Sequence, residues 1–235
     1  MRRSPGGTMA GTNNDGTRGP LATEQAYHGI RELILHQRLR AGERTSVAVL
    51  ADRLQLGRTP VKEAITRLTA EGMMSVHDRR GTFVHEPTPA DIRDMFAMRR
   101  LLERHAAGHA VNRVTSDVLE ELDELIAQME VESLRKAPSV RSLSRFLGTD
   151  VEFHRRIVGL AGNATLSRLY ASLNLDLQIA TYLQRHGLSM AVERHREHVA
   201  VMEALRARDG ARLRRGLVEH VDAVENVVLS SMLDV

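Results

Sequence analysis

Four side chains of metal-ligand type stand out by their spacing. Asp150 and His154 are four residues apart, so on a helix they share a face, and that face also carries Phe146, Phe153 and Ile157. His198 lies on a stripe with Met202 and Leu205, and His220 on a stripe with Leu213, Leu217, Val224 and Val227. Apolar stripes of helical period face a core, so three helices turn one carboxylate and three imidazoles inward. Burying these groups without partners costs about 1–3 kcal/mol each, and coordination of one shared divalent cation removes that cost. Each feature alone has a plainer reading. An Asp/His pair one turn apart is usually a local ion pair, and a single inward histidine is usually satisfied by a neighbour. Arg99 lies on the stripe of Ile92, Met95, Leu102 and Ala106, so its guanidinium also points inward, with Glu103 one turn further on. His105 and His109 have small and polar flanks and read as surface; His195 either supports the site or is exposed.

The elements that must position these residues follow from periodicity and punctuation. Residues 1–22 are rich in Gly, Thr, Asn and Pro and read as a disordered arm, with no apolar segment after Arg2 and Arg3 to make a signal peptide. From Thr23, Ile30, Leu33, Ile34 and Leu39 recur at helical intervals. Ser46 is placed to cap a short helix carrying Val47, Leu50, Ala51 and Leu54. After a turn at Gly57, Thr59 is the expected cap and Pro60 the first residue of a helix running through Ile65 and Leu68. Met73–Val76 and Thr82–Val84 flank a charged tip and predict a β-hairpin. Helix, helix, turn, helix, hairpin is the order of a winged helix-turn-helix over 23–86. Pro87-Thr88-Pro89 is a linker, and 90–235 is expected to be all-α, with helices near 89–112, 115–135, 140–161, 164–186, 189–208 and 211–231. The fold class is mainly α.

Composition narrows the chemistry. The 235 residues are 42% hydrophobic and 27% charged, with no run apolar enough to span a bilayer. Cysteine is absent, which excludes disulfides, thiolate nucleophiles and cysteine-ligated zinc, and fits a reducing, cytoplasmic setting. Aromatic residues make up 3% and Trp is absent, which argues against a base-stacking platform for single strands. Residues 1–86 hold 13 Lys and Arg against 9 Asp and Glu, whereas the remainder holds 20 against 21. The basic excess lies in the part that has the order of a DNA-reading head. There the helix that enters the major groove starts Gly57-Arg58-Thr59-Pro60-Val61-Lys62, with Arg58 and Lys62 on one face. Arg matches guanine edges, Lys supplies a point charge, and Thr59 offers a hydroxyl to a phosphate. Arg79-Arg80-Gly81 at the hairpin tip is placed to lie in the adjacent minor groove.

The motifs Leu50-Ala51-Asp52-Arg53-Leu54, Arg58-Thr59-Pro60-Val61-Lys62-Glu63-Ala64, Arg67-Leu68, Glu71-Gly72 and Arg80-Gly81-Thr82-Phe83-Val84 resemble the DNA-binding domain of GntR-family transcriptional regulators over residues 24–85. The resemblance implies DNA contacts from Arg58, Thr59, Lys62 and Arg67 on the helix and from Arg80 and Gly81 in the wing. Gly57 replaces a usual Ser or Thr, and Ala48 stands where several relatives place an Arg, so base preference is expected to differ. Residues 90–230 resemble the FCD-type effector domain of the FadR subfamily through Arg99-Arg100-Leu101-Leu102-Glu103, Asp150-Val151-Glu152-Phe153-His154-Arg155, Ala161-Gly162-Asn163, Glu197-His198 and His220. In metal-containing members that pattern ligates a divalent ion, which assigns the metal to Asp150, His154, His198 and His220. Three nitrogens and one oxygen suit Zn²⁺, Ni²⁺ or Mn²⁺. The resemblance also makes Arg99 the candidate for an effector carboxylate, with the plain Glu103 pairing open beside it.

These readings together predict a homodimeric, cytoplasmic regulator, a repressor by preference. It is expected to bind a palindromic DNA operator and to respond to a small organic acid at the metal. A metal sensor and a metal-dependent hydrolase are the rivals. The hydrolase lacks a further inward carboxylate placed as general base.

Overall fold

The computed structural model describes residues 19–135, 139–173 and 191–233. The expected arm falls on residues 1–18 outside that range, except for its last four residues, which are helical. Helix α1 spans Gly19–Leu35, four residues longer than expected. A proline in the first turn gives up only an N–H that has no intrahelical partner, so Pro20 does not delay the helix.

The N-terminal unit continues with β1 (Arg44–Thr45), α2 (Val47–Leu54), α3 (Arg58–Ala70), β2 (Met74–His77) and β3 (Gly81–Val84). Ser46 caps α2 by accepting the Val49 amide at 3.2 Å. Helix α3 opens earlier than expected, on a Gly57 cap with extended backbone and no side-chain capping bond. Pro60 then stands third in the helix, where its missing N–H still costs nothing. The hairpin forms as expected, and β1 adds a strand that two residues are too short to announce. The sheet is antiparallel in the order β1-β3-β2, with Arg44 opposite Phe83 and Thr45 opposite Thr82. At its tip Arg79 and Gly81 take positive φ, 64° and 106°. Ile30, Leu50, Val61, Ala64 and Leu68 form the fully buried centre of this unit.

Beyond the linker come α4 (Pro89–Arg113), α5 (Ser116–Ser133), α6 (Val140–Gly159), α7 (Ala164–Ala171), α8 (Ala191–Arg206) and α9 (Gly210–Leu233). Thr88 and Asp91 close a capping box on α4, and Ser139 with Ser142 does the same on α6. Phe96, Leu122, Phe153, Leu205, Leu217 and Val221 interdigitate in one helical core. Helix α7 ends at Ala171 and is closed at Ser172, well short of the expected 186, and the Gly187 stop lies outside the described residues.

Candidate metal centre

Helix α6 carries Asp150 and His154 one turn apart, α8 carries His198, and α9 carries His220. All four side chains are buried, and one ligand atom from each lies within 4.8 Å of all the others. His198 Nε2 is 2.8 Å from Asp150 Oδ1, and His220 Nε2 is 3.8 Å from the same oxygen. His154 Nε2 and His198 Nε2 face each other at 3.3 Å. The helical stripes bring the four expected residues together.

A second layer of side chains orients these ligands. Glu103, on α4, accepts from His154 Nδ1 at 3.0 Å, and Glu197 accepts from His220 Nδ1 at 2.7 Å. A carboxylate on Nδ1 places the ring proton there and leaves the Nε2 lone pair directed at the centre, the arrangement typical of metal-bound histidines. Glu103 also accepts from Tyr170 Oη and from Arg99 Nε, each at 2.7 Å. Burial alone would raise the Glu103 carboxyl, but the charges of His154 and Arg99 and the bonds to it hold it down at about 2. Asp150 is likewise held well below the usual carboxylate range, because the hydrogen bond and charge of His198 outweigh its burial. Burial lowers His154, and burial together with the neighbouring His198 and His154 lowers His220 further. An ionised Asp150 with His154 and His220 shifted toward their neutral forms is the direction a cation needs.

The polar atoms left over point the same way. Among the described residues His220 Nε2 is buried with no hydrogen-bond partner, as are Nη1 and Nη2 of Arg99. Two imidazole lone pairs and a carboxylate oxygen meeting in a dry core repel one another unless a proton or a cation lies among them. One divalent ion held by Asp150, His154, His198 and His220 fits this donor set. Arg99 combines both alternatives: one edge of its guanidinium is engaged by Glu103, and the other stands 4.0 Å from Asp150 Oδ2. The sequence reading missed the roles of Glu103, Glu197 and Tyr170. Glu103 did carry a signal, standing four residues from Arg99 on an inward stripe.

In the N-terminal unit Arg58, Thr59 and Lys62 are exposed at the start of α3, and Arg80 is exposed beside Gly81 at the hairpin tip. Arg67 differs from this group. Its guanidinium carbon sits 3.7 Å from the centre of the Tyr27 ring, and its nitrogens reach Glu24 at 2.8 Å and Glu71 at 3.1 Å. That network ties α1 to α3 and gives the exposed Arg67 internal partners beside the DNA contact expected of it.

Comparison with known proteins places these features in context. Residues 94–223, more than half of the chain, match the FCD domain, and residues 22–84 match the bacterial regulatory proteins of the gntR family. The Nta operon transcriptional regulator of Aminobacter aminovorans is 28% identical over 83% of this chain and 91% of its own. The HTH-type transcriptional repressor RspR of Escherichia coli strain K12 is 23% identical over 87% of this chain and 88% of its own. The solved structure of E. coli McbR/YncC superposes with a TM-score of 0.78 at 21% identity, covering 90% of this chain and 98% of that one.

Proposed function

The chain belongs to the gntR family of bacterial regulatory proteins and carries an FCD domain, and on that premise we propose that a small carboxylate effector at a divalent-metal site controls its affinity for DNA. The chain is a DNA-binding transcriptional regulator, not an enzyme. The observation that carries the proposal is the convergence of four buried ligand atoms within 4.8 Å beside the Nη1 and Nη2 groups of Arg99, which make no hydrogen bond among the described residues.

Asp150, His154, His198 and His220 would hold the ion, and Zn²⁺, Ni²⁺ and Mn²⁺ all suit the set. When bound, the ion supplies a Lewis-acidic centre with coordination positions beyond the four protein ligands. Arg99 offers the free edge of its guanidinium to the same space, and a carboxylate is the group that a guanidinium fork matches. Hydroxy- and keto-acids suit this pair of anchors because a second oxygen can chelate beside the carboxylate. Arg58, Thr59 and Lys62 read the major groove, and Arg80 with Gly81 enters the minor groove beside it. A homodimer formed through the helical domain presents two such heads to a palindromic site in cytoplasmic DNA. RspR is named a repressor, and we take the same sense here, with the effector releasing DNA.

Metal analysis of protein purified without chelator, followed by calorimetry and gel shift with a panel of small hydroxy- and keto-acids, tests the reading. About one ion per chain and an acid-dependent loss of DNA affinity are expected. If the metal alone controls DNA release and no acid binds, the ion is the signal and the carboxylate reading fails.

A further inference from the structure

We infer that Arg44, on the edge strand β1, is a further DNA-contacting residue that extends the cationic surface of the wing toward the phosphates of the minor groove. The inference rests on the DNA-reading role of the N-terminal unit. Strand alternation sets the direction of the side chain: Thr45 is buried at 6% exposure, so its neighbour Arg44 is turned to the opposite, exposed face. The strand pairing then sets its reach. Arg44 lies opposite Phe83, two residues from the tip of the hairpin, and its side chain runs toward that tip. A Cβ on Gly81 would stand 3.0 Å from Arg44 Nε and 3.6 Å from Arg44 Nη2. Gly81 is therefore glycine for two reasons, its φ of 106° and the room that Arg44 occupies above it.

The charge environment points outward. Arg67, Arg155, Arg156, Arg206 and Arg212, also exposed, each pair with a carboxylate. Arg44 has no ion-pair partner among the described residues, and the side chain of the adjacent Glu43 is turned onto the Arg40 amide at 2.9 Å. With Arg79 and Arg80 exposed in the turn beside Asp78, three guanidinium groups and one carboxylate stand on the tip and edge of the sheet, a net positive surface. A phosphodiester backbone is the anion that a row of cations fits, and each phosphate neutralised releases condensed counterions. An arginine that only guards the sheet edge against pairing would have no such effect.

The test uses the full-length protein and a labelled duplex selected from random DNA by the wild type. Arg44→Gln is expected to raise Kd about tenfold and to reduce the slope of log Kd against log salt by about one. Arg44→Lys, which keeps the charge, is expected to retain that slope. Both variants should melt with the wild type, which separates a lost contact from a damaged sheet. An unchanged Kd and slope in Arg44→Gln overturns the inference. Arg58→Ala, measured alongside, shows whether the DNA-reading role of α3 stands independently: lost binding there with an unchanged Arg44→Gln removes Arg44 alone.

Discussion

The hydroxyl of Ser144, in α6, donates to the backbone carbonyl of Leu35, the last residue of α1, at 3.0 Å. The carbonyls of Glu32, Leu33 and Ile34 are taken by amides just beyond the helix, so the end of α1 is completed by a side chain from the other unit. Leu35 itself packs against both hydrophobic cores. Helix α6 thus holds the C-terminus of α1 near one end and presents Asp150 and His154 further along. Ser144→Ala is expected to cost about 1 kcal/mol of stability, and hydrogen exchange at the end of α1 should quicken. Unchanged exchange there would show that apolar packing alone seats the helix.

Glu197 offers a clean handle on the ligand layer. Its carboxylate fixes the His220 ring through Nδ1. Glu197→Gln should weaken metal affinity about 10–100-fold, as loss of a carboxylate behind a histidine ligand does, with the fold retained. His198→Ala and His220→Ala should each abolish stoichiometric metal, read by competition with a chromophoric chelator.

Chelation and pH act on the same residues. A ligand that binds only the folded state stabilises it, so chelator should lower the Tm of metal-loaded protein. In the metal-free protein His154 and His220 sit below their usual value of 6.5, which means that folding disfavours their protonation. Stability from this source is complete above pH 6.5 and declines as pH falls below it, because the unfolded chain then binds protons that the folded one refuses. Denaturant midpoints at pH 7.5 and 5.5 check the sign, and a midpoint that rises on acidification would contradict it.

Arg99 and Glu103 form a buried ion pair at 2.7 Å, so removing the cation does more than empty an effector contact. Arg99→Ala should cost about 3–5 kcal/mol, the penalty for leaving a buried charge without its partner. Arg99→Lys is the better probe of effector binding, since it keeps the charge and loses the fork. A weakened acid response with near-normal Tm in the lysine variant is the expected result.

For the DNA-reading surface, Arg58→Ala should lose about 1–3 kcal/mol of operator affinity, whereas Lys62→Ala should chiefly reduce salt dependence. Quantitative gel shifts across a salt series distinguish the two. Unchanged binding in the double variant would remove α3 from recognition.

The sequence by itself determined which faces turn inward. Helical period fixes direction from local spacing alone, so Asp150, His154, His198, His220 and Arg99 could be assigned to a core before any contact was known. Punctuation did the same for the cap at Ser46, because a cap is an interaction across three residues. Tertiary structure decided everything that depends on how helices cross. The bond from Glu103 to His154 spans 51 positions and that from Tyr170 to Glu103 spans 67, and no periodicity links residues so far apart. Arg67 shows the same limit from the other side: its charge and helix position suit a phosphate, and only the fold reveals that Tyr27 and Glu24, on another helix, also engage it. Strand β1 was invisible because two residues have no alternation to read; only its pairing with β3 makes it a strand and brings Arg44 beside Gly81.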